Sequence, residues 1–328
     1  MLKKLLFIFI VVFVFSSCNK RTVYGEVPAE WEIIRFDKVL YEYLTNAESS
    51  DKDLEKYSDF LDEFGRNVIK IGGVDSLGFY ERLRNYFSEP TLMRLYADQQ
   101  LVFSETEDLN RELAHGMTTL LNAFPEIDKP QIYMHVSGLE QNVILTDGIV
   151  SLSSDKYLGE DYPLYTYFFE DYRRALMSPD RVAPDYLLGF MMANFPFKGR
   201  QDVLLDRMIY EGKLRYLLSC LIPARENWEF VGYTKDQYDW CSRNEQNIWK
   251  QILENKHLFE PNYVVTDKYI REAPYTSSLP IESPGRVGIW IGFRIVDSYM
   301  KNHPRTTLSE LIDLTDYQKL LQDSKYKP

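Results

Sequence analysis

The middle of the chain changes its hydrophobic pattern, and this change is the feature that most constrains the fold. Residues 131–136 alternate apolar and polar side chains, the apolar ones being Ile132, Met134 and Val136. A second apolar run at 143–145 is followed by Asp147-Gly148 and then by a third run at 149–152. Alternation with a period of two is typical of strands, and Asp-Gly is typical of a tight hairpin turn. We therefore predict one small sheet with at least one hairpin.

The rest of the chain has a helical pattern. Apolar residues recur at three- and four-residue steps, as they do between Leu54 and Phe64, and this spacing puts them on one face of a helix. No Pro- or Ser-rich linker and no internal repeat divides the 328 residues. We predict a predominantly helical α+β protein with its sheet in the middle, forming a single domain over residues 31–328.

Three late helices have recognisable N-termini. Asp202 is placed to cap a helix that runs to about Leu221. Residues 234–237 read Thr-Lys-Asp-Gln, which is a capping box. Ser283-Pro284 offers a capping serine and a proline at the first helical position. The glycines that follow on one side of this last helix indicate close approach of a neighbouring helix; they are Gly285, Gly288 and Gly292.

Two carboxylates fall on apolar helix faces. Glu211 shares a stripe with Leu204, Met208 and Leu218, and Glu245 lies on a stripe of the 234–252 helix. Isolated charge in a core is very costly, so a buried carboxylate needs a partner. Glu211 is therefore either paired structurally or part of a site.

Several function classes are excluded by inspection. The chain has 49 acidic and 38 basic residues, a net charge of −11, which argues against a nucleic-acid partner. Gly212-Lys213 is not a phosphate loop, and there is no G-x-S-x-G elbow. No two of the four histidines lie four residues apart, so no helix offers a zinc pair, although His115 and His135 could meet in space. We predict no metal, no cofactor and no catalytic residue.

Two further features, a pair of cysteines and an aromatic segment, each allow two interpretations. Cys220 and Cys241 lie among apolar residues, which favours buried thiols over a disulfide between them. The aromatic run at 157–172 fits a core segment with polar tips better than a groove for a glycan or a peptide.

The first eighteen residues have the pattern of a secretory signal. Lys3-Lys4 precedes eleven apolar residues, a run too short to span a bilayer. Phe15-Ser16-Ser17-Cys18 resembles the lipobox of bacterial lipoproteins, which implies cleavage after residue 17 and acylation of Cys18. Residues 18–30 would then be the lipidated N-terminus and a tether. Removal of the signal changes the net charge from −11 to −13, and analogy favours the periplasmic face of an outer membrane.

Five runs together resemble the gliding motility lipoprotein GldB family of Bacteroidota. These runs are residues 153–159 (SSDKYLG), 204–213 (LLDRMIYEGK), Trp240 with 244–249 (NEQNIW), 284–292 (PGRVGIWIG) and 324–328 (SKYKP). The resemblance covers nearly the whole mature chain. It implies an envelope-anchored component or assembly factor of the gliding machinery, linked to type IX secretion, whose partners are the membrane and other envelope or motility proteins. Together with the lipobox and the absence of a catalytic set, it predicts a non-enzymatic protein.

The chain resembles zinc-peptidase-like proteins more distantly. Glu211-Gly212 is similar to their later E-G segment, and 284–292 to their Gly-rich C-terminal helix. Their zinc helix should fall near 184–195, which lacks the H-E-x-x-H motif. The resemblance implies a degenerate scaffold that keeps a cleft. The polar residues expected to line that cleft are Asp155, Glu211, Lys213, Glu245 and Arg286. The alternative function is therefore a peptidase-like hydrolase, or a lipoprotein that binds peptides or glycans.

Overall fold

The computed structural model describes residues 31–140, 143–146 and 148–328, so the predicted signal peptide, Cys18 and the tether lie outside the described residues. The helices are α1 (Phe36–Thr45), α2 (Ser58–Glu63), α3 (Phe79–Tyr86), α4 (Pro90–Val102), α5 (Glu107–Ala123), α6 (Tyr165–Phe168), α7 (Asp171–Arg174), α8 (Val182–Asn194), α9 (Leu204–Leu221), α10 (Asn227–Val231), α11 (Lys235–Glu254), α12 (Tyr263–Ile270), α13 (Val287–Asn302), α14 (Leu308–Asp313) and α15 (Tyr317–Ser324). Among the residues described, no helix combines the length and the apolar character that crossing a membrane requires. The protein is predominantly helical, as predicted.

The predicted sheet lies in the middle of the chain. Its strands are β1 (Gln131–His135), β2 (Val143–Thr146) and β3 (Ile149–Ser153), in the order β1-β3-β2. Strands β2 and β3 pair antiparallel across a turn in which Gly148 has a φ of 73°, so the hairpin prediction is confirmed. Strand β1 pairs with β3 in parallel.

Strands β1 and β3 are buried on both faces, which the alternating pattern did not predict, whereas the edge strand β2 is partly exposed. Ile132 and Met134 face one hydrophobic cluster, which includes Leu187 of α8. Tyr133 faces another and stacks on Phe60 of α2, with 4.5 Å between ring centroids. Val136 was predicted to lie on the side of Ile132 and Met134 but packs in the second cluster. It follows the last residue of β1, His135, so the alternation of the strand no longer determines its side.

Helices α9 and α13 pack more closely than side chains would allow. A Cβ on Gly292 would overlap the backbone carbonyl of Met208, and a Cβ on Gly212 would overlap the backbone of Gly292. The predicted close approach is therefore confirmed. Helix α9 is buried around nearly its whole circumference, and its two halves contribute to different hydrophobic clusters.

The predicted helix starts are confirmed at one of the three positions. Thr234 caps α11 through its capping box. Helix α9 begins after Val203 instead of Asp202, and its Leu205 amide donates to the carbonyl of Leu258 at 3.1 Å. Ser283 does not cap α13 either.

Helix α13 begins at Val287 because a distant residue supplies its cap. The Val287 amide donates to the hydroxyl of Thr276 at 3.3 Å, and the same hydroxyl donates to the carbonyl of Pro284 at 2.8 Å. These bonds hold residues 284–286 in a turn, so the proline does not enter the helix.

Both cysteines of the described chain are free thiols. Cys241 is buried, as predicted, and burial raises the pKa of its thiol. Cys220 is half-buried near the end of α9. No disulfide joins them.

Candidate functional site

Arg286 occupies a constrained position at the start of α13. Its backbone lies in the left-handed region, with a φ of 58°. Its Nη2 donates to the carbonyl of Gly232 at 2.8 Å, and a Cβ on Gly232 would come within 3.1 Å of that nitrogen. Gly232 itself has a φ of 69°. The glycine therefore provides both the turn after α10 and the space for the guanidinium.

Arg286 lines a cavity of about 210 Å³ to which α8, α9 and α10 contribute. We call this cavity the basic pocket, after its five cationic residues: Lys156, Arg173, Arg181, Arg215 and Arg286. Two acidic residues, Asp185 and Glu272, also line it, and Tyr157, Phe169 and Phe230 form apolar parts of its wall. A pocket with this charge balance favours an anionic ligand.

Glu211 lies beside the basic pocket inside α9 and is only 4% exposed. Its carboxylate pairs with Arg207 at 3.4 Å and with Arg215 at 3.5 Å, one turn before and one turn after it. The partner that its burial requires therefore comes from its own helix.

Lys213 points to a different cavity, of about 650 Å³. Its Nζ donates to the carbonyls of Ile312 and Leu314, at 2.8 and 2.6 Å, and so binds the C-terminal end of α14. Burial lowers the pKa of Lys213 to about 8. A cation at this position satisfies carbonyls that the end of a helix leaves without partners.

Asp155 is fully buried next to the sheet and orders the loop that follows β1. Its carboxylate accepts hydrogen bonds from the Ser153 hydroxyl and from the amides of Ser137 and Leu139, the latter two at 3.1 and 2.7 Å. Burial raises the pKa of Asp155, whereas these hydrogen bonds act in the opposite direction. Its donors come from the protein's own backbone and side chains.

Glu245 connects three parts of the C-terminal half. It accepts from Arg294 of α13 at 3.0 Å and from the hydroxyl of Tyr326 at 2.8 Å. The carboxylate thereby fastens the C-terminal segment to α11 and α13.

The structure does not bring the five predicted cleft residues together. Arg286 and Lys213 line two separate cavities, and neither cavity includes Asp155, Glu211 or Glu245 in its wall. Sequence reasoning also missed three arginines of the basic pocket; these are Arg173, Arg181 and Arg215. Arg215 could have been found, because it stands four residues after Glu211 on the same helix.

The histidines and aromatic residues were the other candidates. His135 is fully buried, its Nδ1 lies 2.7 Å from the Ser151 hydroxyl, and burial lowers its pKa to about 3. Within the part of the chain that the structure describes, no three His, Cys, Asp or Glu side chains are grouped so that they could hold a metal ion. In the aromatic run Tyr157 and Tyr165 are buried, whereas Tyr167 and Phe168 are exposed.

Comparison with known proteins identifies the family. Residues 17–328 match the profile of a lipoprotein family described as gliding motility protein GldB. This match includes Cys18 and every element of the fold. No curated protein and no solved structure matches the chain. Because the match extends over nearly the entire sequence, the chain belongs to the gliding motility protein GldB family.

Proposed function

We propose that this chain is a non-enzymatic, lipid-anchored component or assembly factor of the gliding machinery. In this proposal Cys18 carries the acyl chains, the folded part lies at the periplasmic face of the outer membrane, and the machinery is linked to type IX secretion. The family match carries the proposal, because it includes the cysteine that the lipobox resemblance selects. Two or more acyl chains suffice for stable anchoring without a membrane-spanning helix.

The bonding of the candidate carboxylates supports a role without catalysis. A general acid or base must come within hydrogen-bond reach of its substrate. Asp155 and Glu211 are instead buried and engaged by groups of the protein itself, and Glu245 is bound to Arg294 and Tyr326. These contacts stabilise the fold and its C-terminal segment.

The test is complementation of a deletion strain in a gliding host. Wild-type protein should restore spreading and secretion of type IX cargo, and it should take up labelled palmitate. Cys18→Ser should abolish labelling and spreading, because the acceptor thiol is lost. Cys220→Ser is the matched control, since it removes another thiol of the chain, and it should behave as wild type.

Two outcomes would contradict this proposal. One is a deletion strain that spreads and secretes normally; the other is a Cys18→Ser protein that restores both processes fully. Separation of inner and outer membranes on a density gradient tests the location, with labelled protein expected in the outer-membrane fraction.

The position of α8 favours a second candidate function, a peptidase-like hydrolase that uses a residual cleft. Helix α8 spans Val182–Asn194, where the resemblance puts the zinc helix, and the basic pocket lies between α8 and α9. Metal analysis of the purified protein separates the two candidates. Stoichiometric zinc that a chelator removes would favour an enzyme and overturn the non-enzymatic proposal.

A further inference from the structure

The basic pocket contains more positive charge than its own acids neutralise. Asp185 is bound by Arg181 at 2.9 Å and by the Tyr157 hydroxyl at 3.1 Å, and Glu272 pairs with Arg173 at 3.4 Å. Arg286 forms no ion pair with any carboxylate that the structure describes. This concentration of cations lies in a chain whose net charge is −11.

Arg215 has a buried nitrogen that lacks a partner. The residue is 5% exposed, and its Nη1 has no hydrogen-bond acceptor among the described residues. Its Nη2 reaches Glu211 only at 3.5 Å. Arg181, on the same wall, has a buried Nε without an acceptor. Buried donors of this kind cost free energy unless a ligand or water accepts from them.

The electrostatics of Arg215 agree with its geometry. Burial lowers the pKa of its guanidinium, Glu211 raises it, and the neighbouring positive charges of Arg286 and Arg181 lower it further. An anion in the pocket would relieve this repulsion and accept from the unpartnered nitrogens.

The backbone conformation that positions the Arg286 side chain is unfavourable in free energy. Arg286 has a φ of 58° and is one of five described non-glycine residues in the left-handed region, a conformation that carries a steric cost. The bond to Gly232 fixes the guanidinium at the wall of the pocket.

We propose that the basic pocket binds the phosphate group of a small phosphorylated molecule. Arginine forks match the oxygens of phosphate, and several cations favour a multiply charged anion over a single carboxylate. The cavity of about 210 Å³ has room for a small ligand, and Tyr157, Phe169 and Phe230 offer apolar surface to the part that carries the phosphate. This inference does not depend on the role of the protein in gliding.

Calorimetric titration of the full-length protein in detergent tests the proposal. The probes are inorganic phosphate, pyrophosphate, glycerol 3-phosphate and a short-chain phosphatidic acid. At least one should bind saturably at one site per chain, and more weakly as salt increases. Tighter binding of glycerol 3-phosphate identifies a soluble ligand, and tighter binding of phosphatidic acid identifies a lipid headgroup.

Three variants connect binding to the pocket. Arg286→Asn removes one cation while keeping a side chain that tolerates the left-handed backbone, and it should weaken binding at least about tenfold. Arg173→Gln removes a half-exposed cation and should weaken binding less, by about threefold. Arg200→Gln is its matched control, because Arg200 pairs with Asp202 at the same 3.4 Å outside the pocket. The control should bind as wild type does.

The proposal is overturned by either of two results. One is the absence of saturable binding for all four probes in wild-type protein whose unfolding is cooperative. The other is equal affinity for the best probe in wild type, Arg286→Asn and Arg200→Gln, which would put the anion elsewhere on the molecule.

Discussion

Glu211 and Arg215 form an ion pair inside the protein, four residues apart on α9. Both side chains are more than nine-tenths buried, and Arg207 provides a second cation for the carboxylate. Breaking such a pair leaves an uncompensated charge in the core, which costs more than the pair itself contributes.

Glu211→Gln tests this directly. We expect the variant to lose about 3 kcal/mol of unfolding free energy, because Arg215 keeps its buried charge without the carboxylate. Glu254→Gln is the control. It also removes the acid of an i,i+4 ion pair, but this pair, with Lys250, lies on an exposed surface. The control should lose less than about 1 kcal/mol. Urea unfolding measures both, and equal losses would contradict the account.

His135 makes stability depend on pH. Its pKa is about 3 in the folded protein against 6.5 for an unperturbed histidine, so only the unfolded chain gains its proton between these values. Stability should therefore fall as pH decreases below about 6.5, by about 2 kcal/mol between pH 8 and pH 5.

His135→Gln isolates this contribution, because glutamine can still hydrogen-bond to Ser151 but does not titrate. Urea unfolding at pH 8 and pH 5 should show about 2 kcal/mol less acid destabilisation in the variant than in wild type. The same acid destabilisation in both proteins would show that His135 is not held neutral.

At the scale of elements, helix starts were predictable only where the cap is local. Thr234 and Gln237 cap α11 from within four residues, and their pattern is visible in the sequence. Helix α13 instead takes its cap from Thr276, eleven residues before Val287. Such a partner depends on the tertiary fold and leaves no local pattern at Ser283-Pro284.

The hairpin of the sheet, like the cap of α11, depends on neighbouring residues, whereas the basic pocket, like the cap of α13, depends on the tertiary fold. The hairpin was predictable because its turn residues and its strands are adjacent in sequence. The arginines of the basic pocket come from segments between residues 173 and 286, and only the fold brings them together. Sequence alone singled out Arg286 but gave no reason to group it with Arg181.

The contact between α9 and α13 yields a prediction of its own. Gly292→Ala should cost about 3 kcal/mol, because its methyl group would meet the carbonyl of Met208 and force the helices apart. Gly189→Ala is the control within α8, where the nearest atom to the new Cβ is a Val143 methyl at 3.5 Å. The control should be neutral or slightly stabilising, by up to about 1 kcal/mol. Thermal unfolding measures the stability of both variants. A Gly292→Ala protein as stable as wild type would contradict the close packing of α9 against α13.

At the scale of the whole molecule, the described residues form three hydrophobic clusters. Two of them include residues of the central sheet. Helix α9 contributes residues to one of these two and to the third. The C-terminal segment is fastened to this body by Glu245 and Tyr326. The proposed function adds a lipid anchor at the other end of the chain. We propose that the anchor determines where the protein acts and that the folded body contacts protein partners.

Exchange of the anchor tests this account most directly. In a gliding host that lacks the protein, residues 1–30 are replaced either by the signal and tether of another outer-membrane lipoprotein or by a cleavable signal without a cysteine. Single-cell gliding speed is then measured at matched protein levels. We predict that the lipidated exchange restores gliding and that the soluble form does not. Full gliding with the soluble form would contradict the claim that this protein acts as a membrane-anchored component.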